Sequence, residues 1–170
     1  MKNEPKKRQQ LTLFLDPKHA EVIEVIRKTF NPVQFDLIKS HVTLCREDEI
    51  EAIDQVIANL TNLNSSSLTI SFDPVIRFSE GKGVMIPAKK DNEAFQILRQ
   101  KILKGIIEKP RRHHPHITLM HPRNSTCTDD IFTKILAADL PRQIEFKSIG
   151  WIEQEIGKPW IVLNEFKLDK

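Results

Sequence analysis

The sequence has 170 residues, 39% of them hydrophobic, and its 26 basic and 23 acidic side chains give a net charge of +3. This length and composition predict a single soluble domain that buries a core of its own. The weak excess of Lys and Arg argues against the long basic groove that duplex DNA requires.

No apolar run is long enough to span a membrane and no secretory signal is visible, so we expect a cytoplasmic protein with no membrane partner. Cys45 and Cys127 have no CxxC partner and are expected to be reduced packing residues. We expect residues 1–170 to form one domain with two lobes, residues 1–9 to be flexible, and the protein to be a monomer.

Apolar periodicity and turn residues predict helices and strands that alternate along the chain. In order, the predicted elements are a strand at 11–16, a helix at 17–30, strand segments at 33–47, a helix at 48–60, two strands within 65–90, a helix at 91–107, a strand at 113–120, a helix at 128–138, and strands at 142–156 and 159–168. Asp91 and Thr128 are expected to cap the helices that they begin.

Two of the predicted connections are hairpin turns, "EGKG" and "GKP". Hairpins favour antiparallel pairing, so we expect an α+β fold instead of a doubly wound parallel sheet. None of the five glycines has the spacing of a Gly-rich phosphate loop.

The sequence contains an internal repeat: "HVTL" at 41–44 returns as "HITL" at 116–119, each on a predicted strand that precedes a predicted helix. Because side chains alternate along a strand, the histidine and the threonine of each copy share one face. The apolar second and fourth residues then anchor the other face in the core. Two such strands side by side would present two imidazoles and two hydroxyls to one cleft.

This set of groups suits displacement at a phosphodiester. One of His41 and His116 can take a proton from the attacking oxygen while the other gives a proton to the leaving oxygen. The hydroxyls of Thr43 and Thr118 can donate hydrogen bonds to the non-bridging oxygens. The sequence does not say which histidine is the acid. No metal or other cofactor is needed for these steps.

Paired H-x-T-L motifs on strands in the two halves of the chain resemble the signature of the 2H phosphoesterase superfamily, which includes the bacterial 2′-5′ RNA ligases and cyclic phosphodiesterases. The segments "LTLFLD", "FDPVIRF…GVMIPA" and the strands after residue 143 also look like that family's strands. The resemblance implies a bilobal, duplicated α+β fold in which two antiparallel sheets flank a central cleft with helices outside. It also implies no metal cofactor and catalytic roles for His41, Thr43, His116 and Thr118.

The family resemblance implies a partner class, a cyclic nucleotide phosphate or an RNA end, without selecting the substrate. We expect hydrolysis of a 2′,3′-cyclic phosphate or of a 2′-linked end. The alternatives are 2′-5′ ligation of RNA and non-catalytic binding of phosphorylated ends. The residues after the motifs, "CRED" and "MHPRN", differ from the continuation common in the RNA-ligase branch, which favours a divergent bacterial subgroup.

Four histidines within nine residues, at 113, 114, 116 and 121, also suggest a metal site. Pro115 biases His114 towards an extended backbone, and no Cys or carboxylate ligand has a suitable spacing. His121 is expected on the strand face opposite His116. We therefore expect no metal.

The sequence offers four candidate substrate-binding residues besides the motifs. Arg112 and His114 precede His116 at alternating positions and could share its face, with Arg112 as a phosphate clamp. Arg46 and Arg123 follow the two motifs at similar offsets and could flank the cleft entrance. Phe14, Phe78 and Trp151 are candidates for stacking on a base.

Overall fold

The computed structural model describes residues 3–168 of the chain. Its strands are β1 (Lys7–Phe14), β2 (His41–Cys45), β3 (Leu68–Ser71), β4 (Ile76–Phe78), β5 (Gly83–Pro87), β6 (His116–Met120), β7 (Gln143–Phe146), β8 (Ser148–Glu155) and β9 (Ile161–Lys167). Its helices are α1 (Pro17–Phe30), α2 (Pro32–Leu37), α3 (Ile53–Thr61), α4 (Glu93–Ile102) and α5 (Asp129–Leu136), with a 3₁₀ turn at Glu47–Glu49.

The strands form two antiparallel sheets, which confirms the predicted α+β class. Seven strands make a large sheet in the order β4-β5-β6-β2-β1-β8-β9, and β3 pairs with β7 in a small second sheet. The two motif strands, β2 and β6, are neighbours at the centre of the large sheet and pair only at Val42 and Ile117. The two halves of this sheet therefore meet along a narrow seam, and both motifs lie on it.

Side chains that cap the first turn determine where two of the helices begin. Asp16 caps α1 by accepting a hydrogen bond from the backbone N–H of His19, and Thr128 caps α5 by accepting one from Ile131, as predicted for that helix. Helix α4 differs, because its cap residue is Asn92 and not Asp91. The Asn92 side chain instead donates to the carbonyl of Lys89, which holds the loop that precedes the helix.

Three predicted segments differ from the structure. Residues 7–9, expected to be flexible, belong to β1 because they pair with β8; residues 1 and 2 of that expected tail lie outside the described residues. Residues 32–37 form helix α2 instead of a strand, since Pro32 occupies a position where a helix needs no N–H. The segment 142–156 divides into two strands, because β7 pairs with β3 while β8 pairs with β1.

The apolar residues of both motifs are fully buried, as the alternation predicted: Val42, Leu44, Ile117 and Leu119 are at most 1% exposed. Cys45 and Cys127 are both free thiols inside the protein, and burial raises the pKa of Cys45 to about 12. Both are therefore packing residues. Within residues 3–168, no helix combines the length and the apolar character needed to cross a bilayer.

A buried ion pair connects the segments that carry the two motifs. The Arg99 guanidinium of α4 binds both carboxylate oxygens of Glu49, at 3.0 and 2.6 Å, and the two side chains are 1% and 4% exposed. It also donates to the carbonyls of Leu44 and Arg111. Burial alone would raise the pKa of Glu49, but hydrogen bonds from Arg99 and from the Arg46 backbone lower it.

We predict that Arg99→Met lowers the free energy of unfolding by about 3–5 kcal/mol, because it leaves the Glu49 carboxylate buried without its partner. Urea denaturation at neutral pH measures this loss. The contribution of Glu49 is present above its ordinary pKa of 4.5 and disappears as the pH falls through the lowered pKa. The control is Arg112→Met, which breaks an exposed pair with Glu93 and should cost at most about 1 kcal/mol. Equal losses in the two variants would contradict the role given to Arg99.

Candidate active site

A cleft of about 720 Å³ lies over the seam between β2 and β6. His41, Thr43, His116 and Thr118 all line it. The antiparallel pairing of Val42 with Ile117, extended by one residue each way, places His41 opposite Thr118 and Thr43 opposite His116. All four motif side chains are thus brought together on one face of the sheet.

Both motif histidines are held in the same way. His41 Nδ1 lies 2.8 Å from the carbonyl of Lys39, and His116 Nδ1 lies 3.0 Å from the carbonyl of His114. A carbonyl oxygen only accepts, so Nδ1–H is the donor in each case and fixes the tautomer. In the neutral form, Nε2 of each ring then carries a free lone pair and can act as a base.

Burial makes both imidazoles harder to protonate. It lowers the pKa of His41 from 6.5 to about 4, against the opposing effect of the bond to Lys39. Burial also lowers the pKa of His116, again opposed by its carbonyl bond and reinforced by the charge of Arg46. Both rings are therefore neutral at pH 7 in the free protein, and an anion in the cleft would favour their protonation.

The threonine of the first motif is oriented by β1. The side-chain amide of Gln10 donates to Thr43 Oγ1 at 3.1 Å and to Thr12 Oγ1 at 2.7 Å. Because Oγ1 of Thr43 accepts this bond, its own proton remains for an oxygen of a ligand. Phe14, four residues along β1, contacts the His41 ring edge-on with 6.3 Å between centroids. Sequence reasoning missed Gln10, whose role depends on the register between β1 and β2.

The four predicted binding residues divide into two groups. Arg46 and Arg123 line the cleft, whereas Arg112 and His114 do not. Arg112 instead binds the Glu93 carboxylate at 2.7 Å, and the His114 side chain is exposed. The expected alternation fails because Pro115 interrupts it before β6 begins.

Several cleft residues were not predicted. His113, and not His114, lines the cleft; its ring lies 6.3 Å from that of His116, and burial lowers its pKa to about 4. His121 also lines the cleft, contrary to the prediction, because β6 ends at Met120 and strand alternation no longer applies. Arg8, Trp160 and the acidic residues Glu47, Asp48 and Glu51 also line the cleft, whereas none of the three aromatic residues proposed for stacking does.

The clustered histidines all lie in the part of the chain that the structure describes. No group of three or more His, Cys, Asp or Glu side chains there has an arrangement that could hold a metal ion. The rings of His41 and His116 are bonded through Nδ1 to backbone carbonyls, so their arrangement suits proton transfer at Nε2.

The fold and the paired motifs agree with comparisons to known proteins. Residues 15–156 match the model of the 2′-5′ RNA ligase superfamily, and the chain belongs to that superfamily. This confirms the resemblance to the 2H phosphoesterases that the motifs indicated. No curated protein matches the sequence significantly.

Solved structures share the fold at low sequence identity. E. coli LigT in its apo form is 16% identical with a TM-score of 0.67, over 99% of this chain and 100% of that one. E. coli LigT complexed with phosphate is 15% identical with a TM-score of 0.63, over 98% and 100%. The protein TT0787 of Thermus thermophilus is 15% identical with a TM-score of 0.55, over 95% and 97%.

We predict that the His41 imidazole titrates near pH 4 in the free protein, because desolvation penalises its cation. NMR detection of the histidine ring carbons across a pH series measures this, with His41→Ala used to assign the signal. Saturating inorganic phosphate should move the midpoint upward, since a bound anion stabilises the imidazolium. A midpoint at 6.5 with no response to phosphate would contradict the buried, anion-binding environment described here.

Proposed function

We propose that the protein is a metal-independent phosphodiesterase that hydrolyses a 2′,3′-cyclic phosphate or a 2′-linked nucleotide or RNA end. The observation that carries this proposal is the pairing of the two H-x-T-L strands, which brings two imidazoles with the same fixed tautomer to one cleft. Superfamily membership supports the reaction class. E. coli LigT has been crystallised with phosphate and with 3′-AMP, which supports a phosphorylated nucleotide as the ligand.

Hydrolysis then needs two proton transfers. Nε2 of the neutral histidine takes a proton from water, and the water oxygen forms a bond to phosphorus. The bond from phosphorus to one ribose oxygen breaks in line, and Nε2–H of the protonated histidine gives its proton to that oxygen. Thr43 and Thr118 donate to the non-bridging oxygens as charge accumulates there. The two histidines end with their protonation states exchanged, and water has been added across the P–O bond.

The different pKa shifts of the two rings support an assignment of roles. Because the pKa of His41 falls to about 4, its neutral form predominates and suits the base. His116, with a pKa lowered to a smaller extent, suits the acid. The cationic form of His116 forms more readily when an anionic substrate enters.

Ligation remains the second candidate function, because the matching family is described as 2′-5′ RNA ligases. The same groups would then activate a ribose hydroxyl instead of water as the nucleophile. Incubation of RNA pieces that end in a 2′,3′-cyclic phosphate and a 5′-hydroxyl separates the two activities on a gel, since only ligation lengthens the RNA.

We predict that His41→Ala and His116→Ala each reduce kcat/KM for 2′,3′-cyclic nucleotides by about 10²–10⁴-fold, the usual contribution of a general acid or base. The assay contains EDTA, and His19→Ala serves as the control because His19 lies on α1 outside the cleft. Changes within a few-fold in either cleft variant would exclude the two-histidine mechanism. Loss of wild-type activity with EDTA would exclude metal independence.

We further predict a bell-shaped pH profile of kcat/KM whose maximum lies below pH 6.5, because both free-enzyme pKa values are lowered. The fall at low pH reports protonation of the base, and the fall at high pH reports deprotonation of the acid. Residual activity of His41→Ala should lack the low-pH fall, and that of His116→Ala should lack the high-pH fall. The opposite pattern would reverse the assignment of base and acid.

Removal of the Thr118 hydroxyl tests whether the motif threonines donate hydrogen bonds to the phosphate oxygens. Thr118→Val removes the donor while keeping a side chain of similar shape, and we expect kcat to fall by about 10²–10³-fold. Thr118→Ser keeps the hydroxyl and should retain most of the activity. Equal activity of the two variants would show that Thr118 does not stabilise charge on the phosphate oxygens.

A further inference from the structure

Within residues 3–168, the arginines that have no carboxylate partner are concentrated at the cleft. Of the nine arginines in the sequence, five form ion pairs in the described residues: Arg27, Arg77, Arg99, Arg111 and Arg112. Three of the other four, Arg8, Arg46 and Arg123, line the cleft, while Arg142 lies elsewhere. Glu47, Asp48 and Glu51 also line the cleft, but among the described residues no carboxylate lies within ion-pair distance of these three arginines, and Asp48 pairs with Arg111. Guanidinium groups that face one cavity without such a partner favour an anionic ligand.

Two of these cations converge from distant parts of the sequence. Arg8 lies on β1 and Arg123 in the turn after β6, and both line the cleft. Burial lowers the pKa of Arg8, and the charge of Arg123 lowers it further. Arg8 is held in place, since its Nε donates to Gln154 at 2.7 Å and its guanidinium lies 5.0 Å from the centre of the Trp160 ring. Glu47 is the carboxylate that acts on Arg8, but it lies beyond ion-pair distance.

His121 stands with these two arginines as a neutral donor. Its Nδ1 accepts a hydrogen bond from the backbone N–H of Arg123 at 3.1 Å, so the ring proton lies on Nε2. Burial and the charges of Arg123 and Arg8 lower its pKa, which keeps this tautomer at neutral pH. Its tautomer is thus opposite to that of His41 and His116, and it offers a proton where they offer a lone pair.

The turn that carries His121 and Arg123 is itself fixed. The side-chain oxygen of Asn31, a fully buried residue, accepts the backbone N–H of His121 at 2.8 Å, and Asn31 Nδ2 donates to Asn124. The backbone N–H of Ser125 closes the turn onto the carbonyl of His121. These contacts fix the backbone of the turn and, with the bond to Nδ1, the His121 ring before any ligand arrives, which reduces the entropy lost on binding.

On the basis of the proposed phosphodiesterase function, we infer that Arg8, His121 and Arg123 form a second phosphate subsite beside the catalytic histidines and threonines. The substrate class is therefore a nucleotide or RNA end that carries a further phosphate in addition to the one that reacts. That phosphate is either a 5′-phosphate or the next phosphodiester of a chain, and both offer the same anionic oxygens.

The test compares substrates that differ by this one group. We measure kcat/KM for adenosine 2′,3′-cyclic phosphate, for its 5′-phosphorylated form, and for a diadenosine nucleotide that ends in the cyclic phosphate. Wild type should prefer at least one of the two larger substrates by about 10-fold or more. Preference for the 5′-phosphorylated form alone identifies a 5′-phosphate site, and preference for the dinucleotide alone identifies a phosphodiester site.

The matched variants are Arg123→Gln and Arg142→Gln, which remove the same charge inside and outside the cleft. Arg123→Gln keeps the backbone N–H that fixes His121, and it should bring the ratio of kcat/KM between the larger and the smaller substrate close to one. Arg142→Gln should leave this ratio at the wild-type value. Equal rates for all three substrates in wild type, or equal preferences in the two variants, would overturn the second subsite.

Binding separates failure of the subsite from failure of the proposed reaction. If wild type hydrolyses none of the substrates, the proposed reaction is wrong, and calorimetry then compares 3′-AMP with adenosine 3′,5′-bisphosphate. Binding of the bisphosphate about 10-fold or more tighter in wild type, but not in Arg123→Gln, would support the subsite. Equal affinities would overturn it.

Discussion

The buried pair of Arg99 and Glu49 is the contact on which the alignment of the two motif strands depends. β2 and β6 share a single paired position, so the ladder between them does little to fix their relative placement. Arg99 supplies what the ladder lacks, because its guanidinium binds the carbonyl of Leu44 on one motif strand and that of Arg111 before the other. Glu49 neutralises the cation that makes these two contacts.

Burial of the His41 and His116 rings determines how readily each ring takes up a proton. A histidine at the surface would be partly protonated near neutral pH, whereas burial lowers the pKa of His41 and of His116 and so favours their neutral forms. The charge of Arg27 lowers the pKa of His41 further and that of Arg46 lowers the pKa of His116 further, and a bound phosphate would offset both effects. Binding of an anion in the cleft would therefore be coupled to the uptake of a proton by an imidazole.

The sequence predicted the parts of the site that depend on local rules. Strand alternation alone placed His41 and Thr43 on one face and their apolar neighbours in the core, and the repeat extended this to the second motif. The α+β class followed from the hairpin turns. Local rules failed where the chain left regular structure: Pro115 redirected the segment before β6, so His113 replaced His114 in the cleft.

Residues whose position depends on tertiary pairing could not be predicted either. Gln10 reaches Thr43 only because β1 pairs with β2 in the observed register, and charge pairing between segments decides which arginines remain for a ligand.

The two copies of the internal repeat differ at the second residue after each H-x-T-L motif. Aligning "HVTLCR" with "HITLMH" places Arg46 and His121 at equivalent positions, so one half supplies a permanent cation where the other supplies a neutral donor. A symmetric pair of halves would give the two motif imidazoles similar environments and similar pKa values. The charge of Arg46 acts on His116, whereas the buried Arg27 acts on His41, and the two rings therefore differ. In a reaction by paired acid and base, such a difference would favour one of the two singly protonated states, in which one ring holds a proton and the other has lost its own.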